Sequence, residues 1–596
     1  MKPQRTTAFA VLALCVASFA LMLGSSLRDS AVVDEIAHIP AGYAYDRYFD
    51  YRLNPEHPPI VKALAALPLL GMNLQYPLNN PFWTTAVNGE WGVGGAMLYG
   101  IQNDATAIID WARVFPMILT LILIIFTYTW GRRLYGPWWA LLPAFLVGLS
   151  PIILAHGHYV TTDISAALGA MLGLYSFVAY LESPSRKNFF FAAVGFGVAE
   201  MMKFSTVILA PLYVVLAIIN AVAHKENPSK KTGVAFLLII VGYLLVVYPL
   251  YALFTANYPI ARQASDTSAI LGALPSASCA LASPMPCFAR FDLWAASNPI
   301  ARPFAEYLLG VIMVVQRISG TNVSYFLGMV YTNGTQLYFP VMYGLKEPLP
   351  TLLLVIAGAF LGLFALFRAL PRARRHVRRY LLENFAQFSM LCFVILYWAW
   401  SIMSPLNIGI RHLIPTLPLI YLLAASALRK LPPSGFWIVG ALLVWLAAET
   451  IIAYPRYLSY YNEIGGGTNN GYRFADDSNY DWGQDIYELR MFLDAHPEVD
   501  RVAFDFFGGS NPAYYLGAKY VPWRSSMGDP SIQGIHWFAV SITNLEDGIQ
   551  PAAPGFSRDA KDRYPWLTSI RARAAGMGGV PPPDYRVGTT IFVYKV

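Results

Sequence analysis

Apolar stretches of about 20 residues recur along this chain, and no other feature limits its fold so strongly. A helix of that length crosses a hydrocarbon core, and inside the core only helices or closed barrels satisfy their own backbone. The runs lie near 8–25, 111–130, 138–154, 164–181, 188–203, 204–222, 233–253, 349–367, 384–403, 412–428 and 434–453. They predict an α-helical polytopic membrane protein of about eleven spans. Of 596 residues, 56% are hydrophobic and 13% charged, too little charge to cover a soluble fold of this size.

The net charge of +7 is not one basic patch. Basic residues cluster between apolar runs: Lys2/Arg5, Arg132/Arg133, Arg186/Lys187, Lys225/Lys230/Lys231, the run Arg368 to Arg379, and Arg429/Lys430. All fall on one side if the N-terminus is cytoplasmic, as the positive-inside rule asks. Nucleic acid is therefore not an expected partner, whereas the lipid bilayer is. The N-terminus has the basic start and apolar body of a signal peptide, but it reads better as an uncleaved first span.

That orientation leaves three large external pieces: a first loop of about 26–110, a second of about 254–348, and a tail, 454–596, after the membrane region 1–453. The first loop holds two surface-lying helical pieces, Ile36 to Phe49 and Pro58 to Leu70. In the second, YLLGVIMVVQ is too short to span. The tail reads as a small α/β domain, with strand-like RVAFDFF and TIFVYKV and a helix-like DIYELRMFLDAH. Cys279 and Cys287 share the second loop, where they either pair in a disulfide or stay free. Cys15 and Cys392 lie within apolar runs as small hydrophobes.

Polar residues gather at the external ends of the spans. Asp34-Glu35 follows the first span, where a carboxylate acts as a general base or holds a cation, or simply occupies a first helical turn. HGHYVTTD, residues 156–163, forms the short turn between the third and fourth spans. Thr161, Thr162 or Asp163 can cap the fourth span. With Asp34, Asp163 is also placed to position a divalent cation or to bind a sugar, and His156 and His158 are further candidate ligands. His38, His57 and Tyr159 join them as candidate substrate contacts. A third group is cationic: Lys203, Lys346 and Arg411-His412 interrupt the positive-inside pattern at the same level. They either snorkel to headgroups or bind a lipid-linked phosphate. Glu200, beside Lys203, reads as its local ion-pair partner.

A base, hydrogen-bonding groups and phosphate-binding cations at one membrane surface describe sugar transfer from a lipid phosphate. The acidic pair, NPEHPPIVKALAALPLL, HGHYVTTD, the lysine of AEMMKFS, YGLKEPLP and NIGIRHLIPTLP together resemble the GT-C membrane glycosyltransferases. The likeness covers about residues 1–453 and is to the bacterial branch similar to protein O-mannosyltransferases and lipid A aminoarabinose transferases. The tail stretches YLSYYNEIGGG and DSNYDWGQD look like the ending of many bacterial members. The resemblance implies Asp34 as catalytic base, Asp163 as second acid, and Arg411 as a donor-phosphate ligand with Lys203 and Lys346 close by. It implies a polyprenyl-phosphate monosaccharide as donor, an acceptor left open between protein, lipid and glycan, and residence in a bacterial cytoplasmic membrane. The tail departs from the β-trefoil of eukaryotic protein mannosyltransferases, so their acceptor does not carry over. Asn322-Val-Ser and Asn333-Gly-Thr read as incidental sequons. The runner-up is a transporter or flippase of lipid-linked sugars, which calls for polar groups at mid-membrane depth. A scaffold without activity leaves Asp34, Asp163 and Arg411 without a purpose.

Overall fold

The computed structural model describes residues 3–280, 283–320, 322–369 and 373–596. Lys2 of the first basic cluster lies outside them, as do residues 370–372 of the run Arg368 to Arg379 and the side chains of that run up to position 377. The chain is mostly helical and is a multi-pass membrane protein. Among the described residues, eight helices are long and apolar enough to cross a membrane, from Gln4–Ser26 to Ser434–Ala453. A ninth is reached if the sharply bent pair Tyr338–Lys346 and Leu349–Ala365 counts as one span.

The expected eleven segments are all helical, and the lower count has local causes. The run near 138–154 breaks at Leu149 and Ser150 into Leu141–Gly148 and Pro151–His156, because Pro151 cannot donate into a continuing helix and Ser150 caps the second piece by accepting from the Ile153 N–H. Arg186–Met202 has 17 residues, about 25 Å of helix at 1.5 Å per residue, slightly short of a hydrocarbon core. It nonetheless packs along Asp163–Glu182, and Gly169 sits where a Cβ would approach the Ala199 backbone at 3.1 Å.

Shorter helices from the two large loops pack against the membrane-length ones. Val33–Tyr48 and Pro59–Ala66 come from the first loop and pack together, with Gly42 so close to the Lys62 backbone that a side chain there would clash. The second loop supplies Ile260–Leu271, Met285–Ala296 and Arg302–Ser319, the last containing YLLGVIMVVQ and burying one face. Cys279 and Cys287 are disulfide-bonded, whereas Cys15 and Cys392 are free. A hairpin of β1 (Ser324–Phe326) and β2 (Met329–Tyr331) follows.

Beyond Ala453 the tail forms a five-stranded mixed sheet. β3 (Val502–Asp505) lies between parallel neighbours β4 (Tyr520–Pro522) and β5 (Trp537–Ser541). β7 (Ile591–Lys595) pairs antiparallel with β5 and with β6 (Tyr585–Val587). The helix expected in DIYELRMFLDAH is Ile486–Ala495, and its Ile486, Leu489 and Leu493 pack on the sheet's apolar face. The tail is bound to the membrane region by polar contacts as well as apolar ones. Ser30 donates to the Gly483 and Gln484 carbonyls, and Asn462 donates to Gly344 and Glu347.

Candidate active site

Asp34 and Glu35 are neighbours on one helix, so their side chains leave it about 100° apart and reach different surroundings. Glu35 turns inward. Arg113 grips it in a fork, Nε to Oε1 at 2.8 Å and Nη2 to Oε2 at 2.7 Å, with both side chains fully buried. The rest of the guanidinium donates to the carbonyls of Ser26, Asp29 and Ser30, while Glu35 also accepts from the backbone N–H groups of Val32 and Val160. Glu35 thus ties the first helix, the acidic loop and the HGHYVTTD turn together. It was a catalytic candidate by sequence, and the structure gives it no free oxygen facing a cavity.

Asp34 turns the other way and lines a cavity of about 240 Å³. Its Oδ2 accepts from Arg411 Nη1 at 2.7 Å, and the same Nη1 stands 3.7 Å from Asp163 Oδ2. Lys203 Nζ donates to Asp163 Oδ1 at 2.6 Å. Four charges from four helix ends therefore alternate in a chain, Asp34, Arg411, Asp163, Lys203. Asp163 opens its helix without capping it, and Thr162 makes no side-chain cap either. Burial pushes the Asp34 carboxyl upward, but the Arg411 guanidinium outweighs it and holds the group below the usual carboxylate range. Asp34 is therefore ionised at neutral pH and able to accept a proton.

Arg411 keeps unused capacity. Its buried Nε has no acceptor among the described residues, and His412 Nε2 beside it has no partner there either. The guanidinium is held flat over the Trp482 ring, 4.3 Å from its centroid. Trp482 belongs to the tail, whose neighbouring residues also grip the segment before Arg411: Asn479 Oδ1 accepts from the Ile410 N–H at 2.9 Å, and Ser478 Oγ donates to the Ile408 carbonyl. Sequence reading found DSNYDWGQD only as a family ending and missed this support. The local signal was a tryptophan flanked by small polar residues, a pattern that ordinary surface loops share.

The remaining sequence candidates divide by their contacts. His38 lines the cavity, and its Nδ1 donates to the Val160 carbonyl at 2.8 Å, which leaves Nε2 free of a proton. Burial depresses His38 to about 4 and holds His57, whose ring meets it edge-on, well below its ordinary value. Both are neutral. Lys346 does not reach the cavity: its buried Nζ donates to the Leu458 and Asn479 carbonyls and sits over the Tyr461 ring, binding the tail rather than an open anion site. His158 and Tyr159 hold Asp29, through Nε2 at 3.2 Å and the phenol at 2.7 Å, on the side of the turn away from Asp34. His156 packs edge-on against Trp482, and its Nδ1 has no partner among the described residues. Glu200 is not the partner of Lys203; it accepts from the Tyr307 hydroxyl at 2.6 Å.

The donor set does not fit a divalent cation. Asp34 and Asp163 already face Arg411 and Lys203, so a cation placed between them would meet an arginine, and among the described residues no group of three or more His, Cys, Asp or Glu converges on a point. The metal expectation for Asp34 and Asp163 is corrected accordingly. Away from the charges the cavity is apolar, walled by Ile208, Val311, Val314, Tyr397 and Trp400. A polar pocket continuous with an apolar groove at the ends of membrane helices suits a ligand with a charged head and a hydrocarbon chain.

Residues 106–251 match the family described as dolichyl-phosphate-mannose-protein mannosyltransferase. This match, over about a quarter of the chain, agrees with the resemblance of the sequence to the GT-C membrane glycosyltransferases. The segment runs through the Arg113 helix, the HGHYVTTD turn and Lys203, and so carries Asp163 and the partner of Glu35. Among solved structures, the oligosaccharyltransferase AglB from Archaeoglobus fulgidus, in complex with an inhibitory peptide and a dolichol-phosphate, is 14% identical, covering 91% of this chain and 71% of its own, with a TM-score of 0.42. ArnT from Cupriavidus metallidurans in the apo state is 13% identical over 98% of each chain, with a TM-score of 0.31. The S. cerevisiae Pmt1-Pmt2 complex bound to the sugar donor is 18% identical over 42% of this chain and 33% of its own, at 0.28. TM-scores of this size carry no argument about site or substrate. No curated protein matches the chain.

Proposed function

We propose that this GT-C protein is an inverting glycosyltransferase that moves a monosaccharide from a polyprenyl phosphate to an acceptor hydroxyl at the outer face of a bacterial cytoplasmic membrane. The observation that carries this reading is Asp34, ionised and paired to Arg411 at 2.7 Å, on the polar wall of a cavity whose other walls are apolar. Asp34 serves as the base. As the acceptor oxygen forms its bond to sugar C1, its proton passes to the Asp34 carboxylate and the C1–O bond to phosphate breaks on the opposite face. One displacement inverts the anomeric carbon. The electron pair leaves with the phosphate, and its growing charge is met by the spare donor capacity of Arg411 and by Lys203. Asp163 holds both cations in place. The tail acts through Trp482 and Asn479, which fix the guanidinium of Arg411 and the start of its helical turn.

The alternative, a flippase, is disfavoured by the arrangement of charge. The alternating chain of Asp34, Arg411, Asp163 and Lys203 sits at helix ends, away from the middle of the apolar helices where a transport path would need its polar groups. The test is reconstitution of the full chain in liposomes with radiolabelled polyprenyl-phosphate sugars and a bacterial envelope extract as acceptor source. Label entering a new product with the wild type and not with Asp34→Asn supports the transferase. Donor crossing the bilayer unchanged, equally with both proteins, supports the flippase.

A further inference from the structure

The cavity has a second polar region that the chemistry above does not use. The segment Asn54 to His57 is anchored from beneath by Lys62, whose buried ammonium donates to the carbonyls of Asn54 and His57 at 2.8 Å each, to Asn54 Oδ1 at 2.7 Å and to the Tyr45 hydroxyl at 3.0 Å. The Asn54 amide in turn donates to Glu90. Asn54 adopts a left-handed backbone, φ 54°, which is uncommon outside glycine and is held here by these contacts. The anchor fixes Glu56 and His57 on the cavity wall beside His38. Trp91, 46% exposed as a residue, completes this end.

An exposed indole next to a carboxylate and two neutral imidazoles is what a sugar ring needs: a flat apolar face for its C–H groups and short-range donors and acceptors for its hydroxyls. This end opens on Asp34 through His38, so a ring seated here has its anomeric carbon near the base and its phosphate toward Arg411. The charges in this region are matched. Glu56 faces Arg317 Nη1 at 3.9 Å, the latter from the end of the amphipathic helix Arg302–Ser319, while Lys62 and Glu90 are buried on a shared asparagine. Neither histidine carries charge at neutral pH. An ammonium on the sugar would meet in Glu56 a carboxylate that already faces Arg317, and a sugar carboxylate would meet in Arg317 a cation that already faces Glu56, so neither finds an unmatched counter-charge.

Resting on the transferase reading, we propose that Trp91, Glu56 and His57, held by the buried Asn54–Lys62 anchor, form the donor-sugar subsite, and that the Glu56–Arg317 pair makes it selective for an uncharged monosaccharide. Neutralised by Arg317, Glu56 presents a hydrogen-bond acceptor to ring hydroxyls and no net charge to an amino sugar. Arg317 is half exposed at the cavity mouth, so it can be replaced without opening the core.

The test is lipid binding to the full chain in nanodiscs, measured with undecaprenyl phosphate and with undecaprenyl-phosphate glucose, mannose and arabinose, each beside its amino-sugar counterpart. The tightest-bound lipid should carry an uncharged sugar, with its amino counterpart at least about tenfold weaker. Trp91→Ala should weaken the best glycosyl lipid about tenfold and leave bare undecaprenyl phosphate unchanged. Arg317→Gln should unmask Glu56 and move the preference about tenfold toward the amino sugar, a change that loss of packing would not produce. An amino-sugar lipid bound tightest by the wild type overturns the selectivity, as does an unmoved preference in Arg317→Gln. Equal glycosyl-lipid affinity in wild type and Trp91→Ala overturns the subsite. If the wild type binds none of the lipids, bare undecaprenyl phosphate included, it is the polyprenyl-phosphate donor reading that falls.

Discussion

Two groups of buried acids lie on either side of Arg411, and they are managed in opposite ways. On the membrane side, Asp34 and Asp163 each have a cation within hydrogen-bonding distance. On the tail side, Asp476, Asp477, Asp481 and Asp547 are buried among backbone N–H groups, hydroxyls and one another, and burial pushes them up, Asp481 to about 8 and Asp547 to about 7. Burial alone makes a carboxyl neutral, whereas burial beside a matched guanidinium keeps it ionised. Among these acids only Asp34 lines the cavity, where an ionised carboxylate can reach an acceptor hydroxyl. Asp481, raised to about 8, is suited to holding its loop as a neutral hydrogen-bonding group.

The sharpest way to break that comparison is to remove the matched acid. Asp34→Asn should lower transfer by roughly 10²- to 10⁴-fold, the usual range for loss of a general base, with product formation in liposomes as the readout. Glu35→Ala, one residue away, should act on the fold instead. It leaves Arg113 buried and unpaired at a cost of about 3–5 kcal/mol, seen as a large drop in the unfolding temperature of the detergent-solubilised protein. Trp482→Ala removes the tail's hold on the Arg411 guanidinium, and about 1–2 kcal/mol of cation–π contact corresponds to roughly a tenfold loss of transfer with the fold retained.

The smallest effect is expected in the tail. Because Asp481 binds its proton more tightly folded than unfolded, its contribution to stability is complete below the unfolded value near 4 and falls as pH rises toward about 8. Asp481→Asn should therefore flatten the decline in unfolding temperature between about pH 4 and pH 8 while leaving transfer within about twofold of wild type. A wild-type unfolding temperature independent of pH, or one rising with it, would contradict the tail half of the comparison.

Much of the fold was legible because apolar runs of membrane length leave the backbone few choices. The breaks were less so: Ser150-Pro151 splits one run, and 17 residues leave another short, although both segments are helical. Of the site, Asp34, Asp163, Lys203 and Arg411 were visible as charges at span ends. What sequence could not tell was direction. Glu35 and Asp34 are adjacent yet face different partners, and Lys203 and Lys346 look alike in sequence although one meets a carboxylate and the other only carbonyls. Trp482 lies about 70 positions from Arg411, and nothing local marks it as a neighbour of the site. The tail helix and two strands followed from periodicity, but β4 and β6 are three residues each, too short to show an alternation.

The decisive experiment pairs one acid from each group: transfer rate and unfolding temperature measured on the same preparations of wild type, Asp34→Asn and Asp481→Asn. The expected result is loss of transfer by at least about 10²-fold in Asp34→Asn with the fold intact, beside near-normal transfer and an altered pH dependence of unfolding in Asp481→Asn. Transfer by Asp34→Asn within about tenfold of wild type would contradict it, because the matched carboxylate would then not be the base.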